Sequence, residues 1–133
     1  MEPTQLLHSS MPMCATLGIT GSEASADRVV AHLDWRPELC TSGGLLHGGA
    51  VMALADAAGA ACAFLNLPDG AVGTSTIESK TNFLGAVREG TQVTATATPL
   101  HRGGTTIVVE TELRVDGRMV AKTTQTQTVL HPR

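Results

Sequence analysis

The chain predicts an α+β fold: a curved antiparallel sheet of about six strands wrapped around one long central helix. Three observations carry that expectation. Residues 45–65 form an apolar run dominated by alanine and glycine, and Asp56 is the only Asp, Glu, Lys or Arg between Glu38 and Asp69. The segments on either side alternate apolar and polar residues with a period of two, as half-buried strands do. Their order is two strands, the helix, then four strands that read as an antiparallel meander. A helix that is apolar on nearly every side must be covered on most of them, and a sheet curved around it does so. Open sheet edges are a liability, which points to continuation of the sheet into a second copy of the chain.

Residues 3–17 predict an N-terminal helical segment, broken near Pro12, ahead of a hairpin over 18–35. In its second arm Val29, Ala31, Leu33 and Trp35 alternate with Arg28, His32 and Asp34. The loop 36–46 carries Pro37 and Gly43-Gly44. The helix is entered through His47-Gly48-Gly49 and ended by Asn66, Pro68, Asp69 and Gly70. Thr- and Val-rich segments 72–84 and 91–101 predict strands separated by Gly85 to Gly90. Between Thr105 and Val115, Ile107, Val109, Leu113 and Val115 face one way and Glu110, Glu112 and Arg114 the other. Asp116-Gly117 predicts a two-residue hairpin turn into a last strand, 118–130, dense in Thr and Gln.

At 133 residues the chain predicts one domain, residues 1–133, with one core. A net charge of −3 with nine dispersed Lys and Arg excludes a nucleic-acid or anionic-membrane surface. Trp35, Phe64 and Phe83 are the only aromatics, too few for base stacking. Cys14, Cys40, Cys62 and five dispersed histidines lack metal-ligand spacing, so neither metal nor cofactor is expected. No basic stretch followed by an apolar one opens the chain, and a reducing, cytoplasmic setting fits best. Residues 45–67 are long enough to raise a membrane span. Their Ala and Gly content argues against it, as does Asp56, a charge that costs about 2.5–3.5 kcal/mol at a bilayer centre.

Asp56 is the chemically informative residue. Its helical neighbours at i±4 are Met52 and Ala60, and at i±3 Ala53 and Gly59, so no local cation pairs with it. A carboxylate so placed is costly unless something outside the helix compensates it. Catalysis is the commonest reason to carry one; a structural carboxylate, capping a loop or paired with a distant arginine, is the alternative. The helix start is the second feature. Its first backbone N–H groups lack internal partners and sit at the positive end of the helix. Glycine there lets a ligand oxygen approach, which makes the Gly48 N–H a donor to a carbonyl gaining negative charge. Along one helix Gly48 and Asp56 stand roughly 12 Å apart, too far to act on one carbonyl. Two antiparallel copies of the helix would bring Gly48 of one near Asp56 of the other, at a dimer interface.

His47-Gly48-Gly49, with Asp56 in Leu54-Ala55-Asp56 and the strand Thr76 to Leu84 following, resembles the hotdog-fold acyl-CoA thioesterases of the phenylacetate-pathway (PaaI-like) group, over nearly the whole chain. The resemblance implies hydrolysis of an acyl-CoA thioester to a free acid and CoA. It implies that Asp56 is the nucleophile or the general base for water, that Gly48 polarises the carbonyl, that His47 orients the site and that Thr76 assists the attacking water. Thr41 stands where many relatives carry an asparagine, so a hydroxyl from Thr41 or Ser42 would take that role. Gly49 and Phe83 join the substrate-binding set. Arg88, Arg102 and Lys122, which flank strand turns, are candidates for the CoA phosphates, and a homodimer or homotetramer is implied.

Two other functions fit the same frame. A non-catalytic acyl-CoA-binding or regulatory module would keep the channel but would not need Asp56. A hydratase or dehydratase would need a proton-shuttling histidine paired with an acid, which His47 and Asp56 could imitate. Cys40 and Cys62 read as packing residues rather than nucleophiles.

Overall fold

The computed structural model describes all 133 residues. Two short helices, α1 (Pro3–Ser10) and α2 (Pro12–Leu17), lead into β1 (Thr20–Ala24) and β2 (Val29–Asp34). The long helix α3 (Gly48–Phe64) follows, and then β3 (Gly73–Phe83), β4 (Gln92–Arg102), β5 (Thr106–Val115) and β6 (Arg118–Leu130). Glu2 caps α1 by accepting from the N–H groups of Thr4 and Gln5, and Pro3 occupies the first turn. Pro12 opens α2, and Gly18, at a left-handed φ of 77°, closes it. Within the apolar run 45–65 the helix begins at Gly48, at the glycine pair; Leu45 and Leu46 belong to the preceding loop, where Leu46 bridges to Cys40.

All six strands form one antiparallel sheet that packs against α3, the hotdog arrangement that the resemblance implies. The strand order is β1-β2-β4-β5-β6-β3, and this corrects the expected meander. Only β4, β5 and β6 are consecutive neighbours. β3 lies at the far edge beside β6, and β4 pairs with β2. The reason is the connection. Asp116 and Gly117, at φ 49° and 79°, make the tight turn that forces β5 and β6 together. Between β3 and β4 the only tight turn, at Glu89-Gly90, comes just before β4, and the longer stretch ahead of it lets the chain cross to the other side of the sheet.

The concave face is built from alternate residues: Val29, Ala31 and Leu33 of β2, Val93, Ala95 and Ala97 of β4, and Ile107, Val109 and Leu113 of β5. They meet Leu54, Ala55, Ala58 and Cys62 of α3, all fully buried. Each fully buried Val, Leu or Ile contributes about 1.5–3 kcal/mol, and the alanines let the helix approach the sheet closely. Burial pushes the Cys62 thiol up to about 11, against a smaller opposing pull from Arg102, as suits a packing residue. No helix is long and apolar enough to cross a membrane.

The two sheet edges differ. At β1 the Thr4 hydroxyl donates to the Gly21 carbonyl (3.1 Å) and accepts from its N–H (3.0 Å), and His8 Nε2 lies 2.6 Å from the Ile19 carbonyl oxygen. At β3 eleven residues run without one buried side chain, and Ile77 and Phe83 are exposed. Within α3 the sheet covers one side. A stripe through Met52, Asp56 and Ala60 to Phe64 stays accessible, so a single protomer leaves more of the helix open than the sequence suggests.

Gly59 is buried in the middle of α3, where a Cβ would lie 2.0 Å from Gln125 Oε1 of β6. Intrinsic propensity favours alanine over glycine in a helix by about 1 kcal/mol, so the glycine is kept for clearance. Gly59→Ala is expected to destabilise the fold by ~1–3 kcal/mol through overpacking. Adding Gln125→Ala should recover part of that loss. Thermal and urea denaturation check both; a stabilising Gly59→Ala would refute the close approach.

Candidate active site

Asp56 projects from the accessible stripe of α3 and meets no cation. Instead Thr76 of β3 donates its hydroxyl to Asp56 Oδ1 at 2.9 Å, and Gln125 of β6 donates Nε2 to the same oxygen at 3.2 Å. Asp56 Oδ2 accepts nothing within the protomer. One carboxylate oxygen is thus held by neutral donors while the other is open.

Thr76 is itself held. Gln127 Nε2 donates to Thr76 Oγ1 at 2.5 Å. The single hydroxyl proton of Thr76 goes to Asp56, so Oγ1 must accept from Gln127, which fixes the amide with nitrogen toward Thr76. The same reasoning orients Gln125, since a carboxylate only accepts. Gln125 and Gln127 are fully buried, and their Oε1 atoms have no partner. An unsatisfied buried acceptor costs roughly 1–3 kcal/mol, and an apolar residue at either position would avoid that cost. The cross-strand register Thr76↔Gln127 puts the two side chains side by side.

The α3 N-terminus forms the second part of the site. His47 is the N-cap, and its Nδ1 accepts from the Gly49 N–H at 2.7 Å. The N–H groups of Ala50 and Val51 donate to the His47 carbonyl. In this first turn the Gly48 N–H alone has no partner in the protomer. The ring of Phe83 lies against Gly48, where a Cβ would stand 3.2 Å from its Cζ. Gly48, Gly49, His47 and Phe83 therefore gather at the helix start, and Asp56 and Thr76 gather two turns along.

The remaining candidates lie apart. Thr41 is exposed in the loop beside the Cys40–Leu46 bridge, its N–H bonded to the Leu45 carbonyl. Arg88 is exposed in the β3–β4 connection without an ion pair. Arg102, at the end of β4, lies 3.7 Å from Asp27. Lys122 is ion-paired with Glu110 on the outward face of the sheet. The structure does not bring these three cations together.

Gln125 and Gln127 are the residues that the sequence reading missed. Ala121, Thr123, Gln125, Gln127 and Val129 form one alternating row, so following the period from the apolar ends of β6 turns both glutamines inward. The glycine at 59, alone among alanines, was the matching signal of a close approach. Cys14 of α2 also reports on the site: burial raises its thiol pKa, and the charge of Asp56 raises it further.

Residues 43–122 match the thioesterase superfamily. Rv1847 of Mycobacterium tuberculosis, a candidate esterase, is 33% identical over 99 residues, covering 73% of this chain and 70% of that protein. Thioesterase HI1161 of Haemophilus influenzae superposes with a TM-score of 0.86 at 29% identity, covering 96% of this chain and 87% of that one. PaaI of E. coli, from the phenylacetic acid degradation operon, superposes with a TM-score of 0.84 at 21% identity, covering 96% and 91%, a likeness of fold alone. The chain belongs to the thioesterase superfamily, and in general terms its chemistry is the hydrolysis of thioesters.

Proposed function

We propose that the protein hydrolyses an acyl-CoA thioester, with Asp56 of one protomer and the Gly48 N–H of a second acting on the same carbonyl. The observation that carries this reading is the Asp56 carboxylate, held at Oδ1 by Thr76 and Gln125 with no cation beside it and open at Oδ2. Thioester carbonyls are electrophilic enough for a carboxylate and one strong oxyanion donor to suffice. The partnerless N–H of Gly48, at the positive end of α3, supplies that donor.

In the general-base route Asp56 Oδ2 takes a proton from water, and the water oxygen bonds the carbonyl carbon. Negative charge passes to the carbonyl oxygen facing Gly48. Collapse breaks the C–S bond and releases CoA thiolate, and the proton on Asp56 goes to the sulfur or to solvent. In the nucleophilic route Oδ2 bonds the carbon first, the C–S bond breaks with release of CoA thiolate, and water then adds to the Asp56 carbonyl of the resulting anhydride and frees the acid. Single turnover in heavy-oxygen water separates the two, since only the second leaves label in Asp56. The open β3 edge supports pairing through that strand, which would lay two α3 helices side by side. Arg88, the candidate cation free of an ion pair in the protomer, is the first choice for a CoA phosphate. A hydratase is less well supported, because the His47 ring already caps α3 through Nδ1.

Asp56→Asn is expected to lower kcat by about 10²–10⁴-fold with little change in KM; thiol release from an acyl-CoA panel measures it, and full turnover would exclude Asp56. Gln127→Leu should lower kcat by roughly tenfold, and in combination with Thr76→Ala the losses should not multiply, because both act through one hydrogen-bond chain. Multiplying losses would separate Gln127 from Thr76. Gly48→Pro keeps the helix start but removes its N–H. Mixing inactive Asp56→Ala with inactive Gly48→Pro chains should restore about a quarter of the sites in randomly paired dimers. Verified mixed dimers without activity would refute the shared site.

A further inference from the structure

We propose that the acyl group is a straight aliphatic chain of medium length, housed in a cavity between α1, α3 and β3 whose roof is the N-terminal helix. This rests on the acyl-thioester reading above. The cavity holds about 390 Å³, within the ~300–1,000 Å³ range of small-molecule pockets. It begins where the Asp56–Thr76 pair ends. Ala60, in its wall, is one helical turn beyond Asp56 on the accessible stripe of α3, roughly 6 Å along the axis. Thr74, also in the wall, is two residues before Thr76 and shares its face of β3. A chain whose carbonyl stands at Asp56 therefore enters this space directly.

The lining sets the chemistry of the occupant. Leu6 and Met11 form the roof, Ala60 and Phe64 the α3 wall, and no charged side chain faces the space. The hydroxyl of Ser10 donates to its own helix, to the Leu6 carbonyl at 2.6 Å, so it does not ask for a polar ligand. Charged acyl groups would be desolvated there without a partner. Length follows from α3. Asp56 to Phe64 spans roughly 12 Å of helix. A zig-zag of ~1.5 Å bonds at ~111° advances about 1.25 Å per carbon, so about eight to ten carbons fill it.

The roof is fixed. Thr4 and His8 tie α1 to β1, and Glu2 caps its start. Leu6 and Met11 lie outside residues 43–122, the part that matches the superfamily. Thioester hydrolysis rests on the matched part, and chain length is set by α1, which lies ahead of it.

The test is thiol release across straight-chain acyl-CoAs from acetyl to palmitoyl, with phenylacetyl-CoA alongside. For the native chain kcat/KM should climb about fourfold per methylene to a maximum near octanoyl or decanoyl and then fall. Ala60→Leu and Ser10→Leu, on opposite walls, should each lower the decanoyl-to-butyryl ratio at least tenfold. Leu6→Ala should move the maximum to longer chains. Far-ultraviolet circular dichroism and thermal midpoints verify each variant, and either filling variant suffices if the other fails to fold. Filling variants that fold and keep the native profile would overturn the cavity while leaving the hydrolase reading intact. Phenylacetyl-CoA preferred over octanoyl-CoA would overturn the aliphatic assignment. No thiol release from any acyl-CoA would remove the hydrolase reading, and the cavity's role with it.

Discussion

A carboxylate without a countercharge, steadied by neutral donors, is the constraint on which the other features depend. An arginine in place of Gln125 would hold Asp56 more tightly and cancel its charge. An amide and a hydroxyl fix the orientation of one oxygen and leave the negative charge in place. Those donors must come from the sheet, because α3 offers only apolar neighbours around Asp56. Gln125 reaches the carboxylate because position 59 has no side chain, and Thr76 reaches it because β3 runs along the same helix face.

The strand order follows the same logic. Thr76 stands opposite Gln127 only because β3 pairs with β6. Had residues 72–130 formed the simple meander, β3 would lie beside β4, and the chain Gln127–Thr76–Asp56 could not form. The long crossover at residues 84–91 is thus part of the site's construction, although none of its residues touches Asp56.

Much of this was legible in the residues. Asp56 stood out because charge is absent on both sides of it for a dozen residues. The helix start was legible because His47-Gly48-Gly49 combines a capping residue with two positions free of side chains, and the two tight features, the Val29–Leu33 alternation and Asp116-Gly117, gave strands and a turn at their observed places. What was not legible is non-local. Sequence spacing says how long a connection is but not which edge its strand will join, so β3 was misplaced. Gln125 and Gln127 were hidden because polar residues in a Thr- and Gln-rich strand look like a solvated face, and only burial against α3 reveals their direction. The helix likewise looked surrounded, since apolarity in the chain does not distinguish cover by its own sheet from cover by another copy.

The unequal edges of the sheet have a consequence for assembly. Side chains of α1 already occupy the backbone groups of Gly21 in β1 and the carbonyl of Ile19 just before it, whereas the outer side of β3 remains open along its length. A ribbon with one blocked and one open border can be extended only once. Joining two copies through β3 uses up both open borders and leaves α1 at each end, so in-plane growth stops at a pair and cannot run on into a fibre.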